Sequence, residues 1–243
     1  MVNIDTVYQR VLALANKEQR GYITPQEFNL YANHAQMDIF EQYFYDLNQF
    51  RRAPGNDTSY SDMIDVLQEK IELFQNTSQI NVTQSEIPTY GDITQAIVSL
   101  PNDSYRISNI TSETPNGNIT EVEKVTKKEC DQAKSAPLTS PTLSRPQYYQ
   151  LESGIYVNPG EVTNITINYI RKPKKVNWTY VVVGDKALLN SSDTKYQNFE
   201  LHASEETSLV VKILQLASVG LKDVGLTQIT AAEEAKNIQQ EKS

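Results

Sequence analysis

The sequence predicts an α+β fold, in which a helical domain built from both ends of the chain accompanies a central antiparallel β-sandwich or barrel-like domain. Two observations lead to this prediction. In residues 1–75 and again in 204–221, apolar residues recur at spacings of three and four, as they do along one side of a helix. Between these regions, β-branched residues alternate with polar ones and turn residues recur, which is typical of antiparallel strands.

The first two helices are expected to form a helical hairpin with arms of unequal length. The first helix carries an apolar row at Ile4, Val7, Val11 and Leu14. Gly21 is expected to end it. Thr24, Pro25 and Glu27 match a capping box with proline at the first helical position, so the second helix should begin there. It should continue to about Arg52, where Ala-Pro-Gly breaks the helical pattern.

The second helix carries an unusually large share of the aromatic residues of the chain. Their positions cover more than half of the helix circumference, and a helix that is buried on several sides needs several neighbours. Some of those neighbours are expected to be other subunits. The residues predicted at or near subunit contacts are Tyr31, Phe40, Tyr43, Phe44 and Tyr45.

Two further helices complete the predicted helical part. Ser61 can cap a third helix, whose apolar stripe is Ile64, Leu67, Ile71 and Phe74. The C-terminal helix should start near Ser204, because Glu205 and Glu206 then fall in its first turn, where acidic residues are favoured. Its two adjacent apolar rows predict deep burial against the N-terminal hairpin. The predicted divisions are a helical part at 1–75, a β domain at 76–190, a C-terminal helix at 191–221 and a polar tail at 222–243.

The β domain is expected to contain eight strands separated by turn signals. They are predicted at residues 80–83, 94–100, 104–110, 119–126, 148–151, 154–157, 162–170 and 176–183. The clearest is VTNITINYI at 162–170, where Ile165, Ile167 and Tyr169 fall on one face and polar residues fall on the other. Residues 136–146 contain three prolines and cannot pair well, so they should cross between sheets or extend over a neighbour.

Charge and composition narrow the functional classes. The formal net charge of −8 and the pI near 4.9 argue against a general nucleic-acid binder, which normally carries a basic surface. Cys130 is the only cysteine, so no intrachain disulfide can form. Residues 1–20 lack a continuous apolar core, and no apolar run reaches the length of a membrane span. We therefore expect synthesis in the cytoplasm without a signal peptide, and no membrane partner.

No pattern in the sequence has the spacing of a catalytic or metal-binding site. His34 and His202 have no companions at ligand spacing, so both are interpreted as packing or hydrogen-bonding residues. Cys130 lies in a polar run and is expected to be a free surface thiol. Ser192 and Lys195 match the spacing of a serine-lysine dyad, but the other motifs of such enzymes are absent.

Pairs of carboxylates give no firmer catalytic signal. Glu121 with Glu123, and Glu205 with Glu206, are interpreted as solvated surface. Taken together, these patterns predict no enzymatic activity, no cofactor and no metal. A hydrolase that uses Glu121 and Glu123 remains an alternative.

One basic cluster interrupts the acidic composition. Its residues are Arg171, Lys172, Lys174 and Lys175, at the end of a predicted strand. It is either a polar docking site for phosphate or an acidic partner, or simply a soluble loop. Trp178 follows it and is expected to clamp this turn to the sheet or to anchor an interface.

Several stretches of the sequence also carry a resemblance. They are VYQRVLALANKEQRGYITPQEFNLYANHAQMDIFEQYF near the start, Leu100-Pro101 with Asp103, Tyr105 and Arg106, then YIRKP from Tyr169 followed by Trp178, and FELHASEE from Phe199. In this combination they resemble the portal-proximal ring or adaptor proteins, which are the head-to-tail connectors of crAss-like and related short-tailed phages. None of these stretches is catalytic, and the resemblance does not extend to residues 136–146.

The resemblance implies a structural protein of the virion neck and tail, made in the cytoplasm of a host bacterium. It implies a homo-oligomeric ring, dodecameric to match the portal, that binds the portal protein and downstream tail or ring proteins. Genomic DNA would pass through the ring without sequence-specific binding. The tail at 222–243 would engage the portal, and its marker residues are Lys222, Ile229, Ile238 and Ser243.

A second interpretation is a carbohydrate- or receptor-binding β module carried on a helical stalk. It requires exposed aromatic residues on the sheet. The candidates are Tyr148, Tyr149 and Tyr156.

Overall fold

The computed structural model describes residues 1–16, 23–52, 58–81, 89–90, 93–94, 96–114, 116–152, 154–162, 164–184 and 186–221, together with Ala232 and Ala235. The chain divides into two compact units. The helical unit contains Met1–Leu73 and Pro173–Ser243, and the β unit is the continuous segment Phe74–Lys172 between them. The predicted α+β class, with helices from both ends of the chain around a central β segment, is confirmed.

The helices are numbered along the chain. They are α1 Ile4–Asn16, α2 Pro25–Arg52, α3 Thr58–Glu72, α4 Lys127–Ser135 and α5 Glu206–Leu221. In the helical unit, α5 packs against α1 and α2, and α2 also packs against α3. Phe28 and Phe40 of α2 and Leu209 of α5 are fully buried, so the predicted apolar faces form the core of this unit. The C-terminal helix thus packs on the N-terminal helices, as the sequence predicts.

Capping boxes begin two of these helices. At α2 the Thr24 hydroxyl accepts from the N–H of Glu27 (3.3 Å), and the Glu27 carboxylate accepts from the N–H of Thr24 (2.9 Å), as predicted. The Glu27 carboxylate accepts from both the N–H and the hydroxyl of Thr24, and these two bonds lower the pKa of Glu27. Thr126 and Glu129 form the same box at α4, a helix that the sequence analysis does not predict. The expected end of the first helix at Gly21 lies outside the described residues.

The strands are also numbered along the chain. They are β1 Gln75–Asn81, β2 Thr89–Tyr90, β3 Ile93–Thr94, β4 Ala96–Val98, β5 Ser104–Glu113, β6 Ile119–Glu121, β7 Glu123–Lys124, β8 Gln147–Leu151, β9 Gly154–Asn158, β10 Asn164–Arg171, β11 Tyr180–Val183 and β12 Lys186–Leu189. In the described part of the β unit, one sheet has the order β1-β10-β5-β6 and a second has the order β4-β9-β8-β7. All pairs in them are antiparallel except β7 with β8.

Side chains from both of these sheets form one apolar core. Its members include Val98 from β4, Ile110 from β5, Ile155 from β9 and Ile167 from β10. The predicted strand at 119–126 is split at Val122, where the chain leaves the first sheet for the second. Val122 itself is buried in the shared core, between the exposed residues Glu121 and Glu123, so the alternating pattern runs across the break.

Two differences from the sequence analysis concern the edges of the β region. The strand expected at 80–83 is β1, which begins at Gln75 because its polar residues pair along β10 without an apolar pattern. At the other edge, the strand expected at 176–183 is reduced to β11, which pairs with the unpredicted β12. Residues 173–190, which the sequence analysis places in the β domain, belong to the helical unit.

Candidate interaction surfaces

A row of amide side chains on α2 holds the segment 174–178. Asn29, Asn33 and Gln36 follow one another at spacings of four and three, so they lie on the same side of the helix. The Asn33 amide donates to the carbonyl of Val176 (2.9 Å), and its oxygen accepts from the N–H of Val176 (2.9 Å). A side chain of α2 therefore bonds this backbone as a neighbouring strand would.

The amide row continues on both sides of Val176. Asn29 donates to the carbonyl of Trp178 (3.2 Å) and accepts from its N–H (2.8 Å). Gln36 donates to the carbonyl of Lys174 (2.8 Å), and Glu200 accepts from the N–H of Lys174 (2.8 Å). These bonds occupy backbone groups of Lys174, Val176 and Trp178, and they explain why this segment lies outside the sheets although the sequence predicts a strand from residue 176. We call Asn29, Asn33 and Gln36 the amide ladder.

Trp178 anchors the end of this segment in the helical core. Its indole ring is 1% exposed and lies against Tyr8 of α1, with 4.0 Å between ring centroids. The indole N–H donates to the carboxylate of Asp5 (2.9 Å), and Tyr180 stacks at 5.7 Å on the ring. Among the described residues, Trp178 contacts α1, Asn29 of α2 and Tyr180 at the start of β11, so it fastens the turn within the helical unit.

Beyond Trp178, the hairpin β11–β12 exposes an unusual amount of apolar surface. Its strands pair Val181 with Leu188 and Val182 with Ala187, so these two pairs lie on opposite faces of the ribbon. Val181 and Leu188 are about half exposed, and Val182 is 63% exposed on the other face. Val183 and Leu189 are exposed as well. Both faces of the hairpin are therefore apolar and open to solvent in the described part of the chain.

The sequence contains a signal for this surface that the sequence analysis does not use. Three consecutive valines put apolar side chains on both faces of a strand, whereas a half-buried strand alternates with polar residues. A run of this kind is typical of a strand covered on both sides. In this hairpin no other described part of the helical unit supplies that cover.

The predicted aromatic contact residues of α2 occupy different environments. Phe40 and Tyr43 are buried inside the helical unit, and Phe44 is half-buried with its ring edge-on to Phe40 at 5.1 Å. Tyr31 is half-buried, and Tyr45 is 60% exposed. The buried members contribute to the core of their own chain, so Tyr45 and the edge of Tyr31 are the aromatic surface that a neighbour could reach.

The residues of the predicted basic cluster are divided between the two units. Arg171 ends β10 in the β unit, where its guanidinium lies 5.9 Å from the ring centroid of Phe74. Lys172 is exposed and also belongs to the β unit. Lys174 and Lys175 are exposed in the helical unit, where the amide ladder fixes the backbone that carries them. The third predicted site, with Lys222, Ile229, Ile238 and Ser243, lies outside the described residues.

Several residues considered for chemistry have structural roles. Cys130 is fully buried and accepts from the side-chain N–H of Asn158 (3.3 Å), so the expectation of a surface thiol is wrong. Burial raises the pKa of this thiol. Glu205, interpreted as solvated, is buried and forms an ion pair with Lys70 at 2.6 Å. This pair joins α3 to the turn that precedes α5.

The remaining candidates lie at the surface. Glu121 and Glu123 are exposed, and His34 and His202 are exposed with local partners in Asp38 and Ser204. Among the described residues, no group of three or more His, Cys, Asp or Glu side chains is placed to hold a metal ion. No helix in the described part of the chain combines the length and apolar character that a membrane span requires.

The tyrosines considered for ligand binding are largely covered. Tyr148 and Tyr149 are each 4% exposed, and burial raises the pKa of Tyr148. Tyr156 is half-buried and stacks on Tyr149 with 5.1 Å between centroids. These three residues do not supply the exposed aromatic surface that a carbohydrate-binding module requires.

Comparison with known proteins gives no further guide to these surfaces. No protein-family model matches the chain, and no curated protein sequence matches it either.

Proposed function

We propose that this protein is a structural component of a phage neck, which assembles as a homo-oligomeric ring beneath the portal and connects it to the tail. The observation that carries the proposal is the apolar hairpin β11–β12, which the described part of its own unit leaves uncovered. The largest exposed apolar patch on a soluble protein is often a site of contact with other molecules. A role in assembly accounts for this surface directly.

The division of the chain supports a connecting role. The β unit is inserted as one continuous segment into the helical unit, and its first and last strands, β1 and β10, are neighbours in one sheet. Each unit has its own apolar core. Two units with separate apolar cores give one chain two different surfaces, one for a portal and one for a tail component. The resemblance described above suggests the same arrangement.

The exposed lysines of each unit fit this role as docking residues. Lys172, Lys174 and Lys175 are exposed in a chain whose formal net charge is −8. Exposed charges of one sign favour association with a surface of the opposite sign and steer the encounter. In the proposed assembly these lysines contact acidic groups of the portal or of the next tail protein.

The proposal is tested by mixing the purified full-length protein with portal protein. Negative-stain images and native mass spectra should show a ring of this protein, twelve copies in the dodecameric case, bound to one face of the portal. The charge-reversed variant with Lys172→Glu, Lys174→Glu and Lys175→Glu should bind the portal more weakly than the original protein. The difference in affinity should be larger at low salt, where charges are screened less. A protein that remains monomeric and unbound with portal at high concentration would refute the proposal.

A further inference from the structure

The hairpin β11–β12 exposes two strand edges as well as two apolar faces. In the described part of the chain, β11 and β12 form a sheet of their own without a third strand. A two-stranded ribbon of this kind is marginally stable by itself in water. Its unpaired N–H and C=O groups form a template for pairing with a further strand.

The register of the hairpin identifies the backbone groups that point outward. Asn190 donates from its N–H to the carbonyl of Thr179 (2.9 Å), at the root of the hairpin. Bonded and non-bonded pairs alternate along an antiparallel ladder. The pair Val182 and Ala187 lies three positions further along and is therefore a non-bonded pair. The N–H and C=O of Val182 point to the outer edge of β11, and those of Ala187 to the outer edge of β12.

We propose that the outer edge of β11 in one copy pairs with the outer edge of β12 in a second copy, so that adjacent hairpins form one continuous antiparallel sheet. β11 and β12 run in opposite directions, so two hairpins side by side in the same orientation present antiparallel edges to each other. Each copy uses both of its edges, and one type of contact repeats. A closed ring of such contacts leaves no hairpin edge unpaired.

The hairpin itself favours a second copy over an unrelated partner. The two edges complement each other, whereas a foreign protein would have to supply a matching strand for each. The exposed apolar residues of one hairpin amount to an area on the order of a few hundred Å². A stable pair of proteins usually buries about 800 Å² on each side. One hairpin is too small to hold a foreign protein by itself, but contacts on both edges of every copy reinforce one another when the ring closes.

The tip of the hairpin indicates the direction of contact. Residues 184–186 read Gly-Asp-Lys, and Lys186 is exposed. A charged tip disfavours insertion, tip first, into an apolar pocket or a lipid layer. The apolar residues lie on the two faces of the ribbon, and edge-to-edge pairing joins these faces to those of the neighbouring hairpin. Lateral contact is therefore made by the outer strand edges and not by the tip.

Two substitutions at Val182 separate edge pairing from side-chain burial. Val182→Pro removes the outward N–H and leaves the internal ladder intact, because the hairpin does not use that N–H. Val182→Thr keeps the N–H and the branched shape. In sedimentation equilibrium, Val182→Pro should weaken self-association by about tenfold or more, consistent with the loss of a hydrogen bond and its neighbours. Val182→Thr should weaken it less.

Two further variants control this comparison. Ala187→Pro removes the outward N–H on the other edge and should act like Val182→Pro. Leu138→Asp changes a 98% exposed apolar residue in the β unit and should leave self-association unchanged. Fluorescence of Trp178, near the root of the hairpin, should be unaltered in every variant. Proline variants that associate as well as the original protein would overturn the proposal.

A photo-crosslinking residue, benzoylphenylalanine, placed at position 182 identifies the occupant directly. Irradiation with and without portal should give a covalent pair of chains, with the crosslink mapped to residues 186–189 of the second copy. Crosslinks that map to the portal, or to other parts of the chain, would overturn the inference even if the proline variants fail to fold.

This inference rests on the proposed function for the number of copies, and its failure is distinguishable from failure of that function. A ring that binds portal without crosslinks between hairpins would keep the proposed function and remove the inference. Crosslinks between the hairpins of a protein that does not bind portal would keep the inference and remove the proposed function.

Discussion

Replacing Asn33 with alanine tests whether the amide ladder, or the apolar packing around it, holds the segment that carries the hairpin. Asn33 makes a two-way contact with the backbone of Val176, with both distances at 2.9 Å. Val176 is 2% exposed, so water has little access to the groups that the substitution would leave unpaired. Asn33→Ala should therefore destabilise the helical unit.

The size of the effect follows from the groups that lose their partners. A buried backbone donor or acceptor without a partner costs about 1–3 kcal/mol. The substitution affects one donor and one acceptor of Val176, and Asn33 itself is only half-buried, so some solvation is regained. Alanine also has the better helix propensity, which offsets about 0.7 kcal/mol. The expected net loss in the free energy of unfolding is about 2–3 kcal/mol.

Urea denaturation followed by tryptophan fluorescence measures this loss. Trp178 is the only tryptophan and belongs to the helical unit, so its signal follows that unit without a contribution from the other. Asn48→Ala is a matched control, because Asn48 is exposed on the same helix. It should change the free energy of unfolding by less than about 0.5 kcal/mol. If Asn33→Ala costs no more than Asn48→Ala, the ladder does not hold the segment and apolar packing does.

Three other outcomes follow from buried groups and close contacts. Lys70→Met leaves the Glu205 carboxylate buried without its partner. In urea denaturation, the free energy of unfolding of the helical unit should therefore fall by roughly 3 kcal/mol. An unchanged midpoint would contradict this expectation. Cys130 should not react with a thiol reagent at pH 8 until the protein is unfolded, since the thiol is buried and its pKa is raised; rapid labelling of the native protein would refute its burial. Gly154→Ala places a Cβ 2.6 Å from a backbone oxygen of β4 at φ +141°, whereas Gly117→Ala at φ +80° meets nothing within 4 Å. Calorimetry should therefore show a loss of stability that is larger for Gly154→Ala than for Gly117→Ala, by about 2 kcal/mol or more. Equal losses would mean that the backbone of β4 moves away from the added Cβ without a measurable loss of stability.

The sequence predicts the elements whose local signals agree with their tertiary setting. The Thr24 capping box marks the start of α2 because the cap is a local arrangement that depends on four consecutive residues. The alternation at 162–170 likewise predicts β10, since one face of this strand lies in the core. The same kind of local signal was available for α4, where Thr126 and Glu129 form a capping box. It was missed because the helix is short and buries little apolar surface.

Other features depend on contacts between distant residues and leave little trace in a local pattern. Asn33 and Val176 are 143 positions apart, and an asparagine on a helix looks like an ordinary surface residue until its partner is known. Lys70 and Glu205 pose the same difficulty at a separation of 135. Their sequence contexts predict solvated charges, and burial of the pair depends on how α3 meets the turn before α5.

The structure also changes the role expected of α2 in assembly. Of the aromatic residues expected at or near subunit contacts, Phe40 and Tyr43 lie in the core of their own unit. What α2 contributes near the hairpin is its row of amides, because Asn29 bonds Trp178, two residues before β11. The helix is thus connected to the root of the hairpin directly through the Asn29 side chain, and indirectly through Phe28, which packs against Tyr8 beside Trp178.

The bond between Asn29 and Trp178 leads to a prediction for a residue that lies outside the hairpin. Asn29→Ala leaves both hairpin edges unchanged but frees their root, since the N–H of Trp178 loses its partner at 2.8 Å. A less fixed hairpin must lose more conformational freedom when it pairs, so self-association should weaken, by less than with Val182→Pro. Sedimentation equilibrium of the two variants makes the comparison. If Asn29→Ala associates as strongly as the original protein, the hairpin keeps its position through Trp178 packing alone, and α2 has no part in assembly by this route.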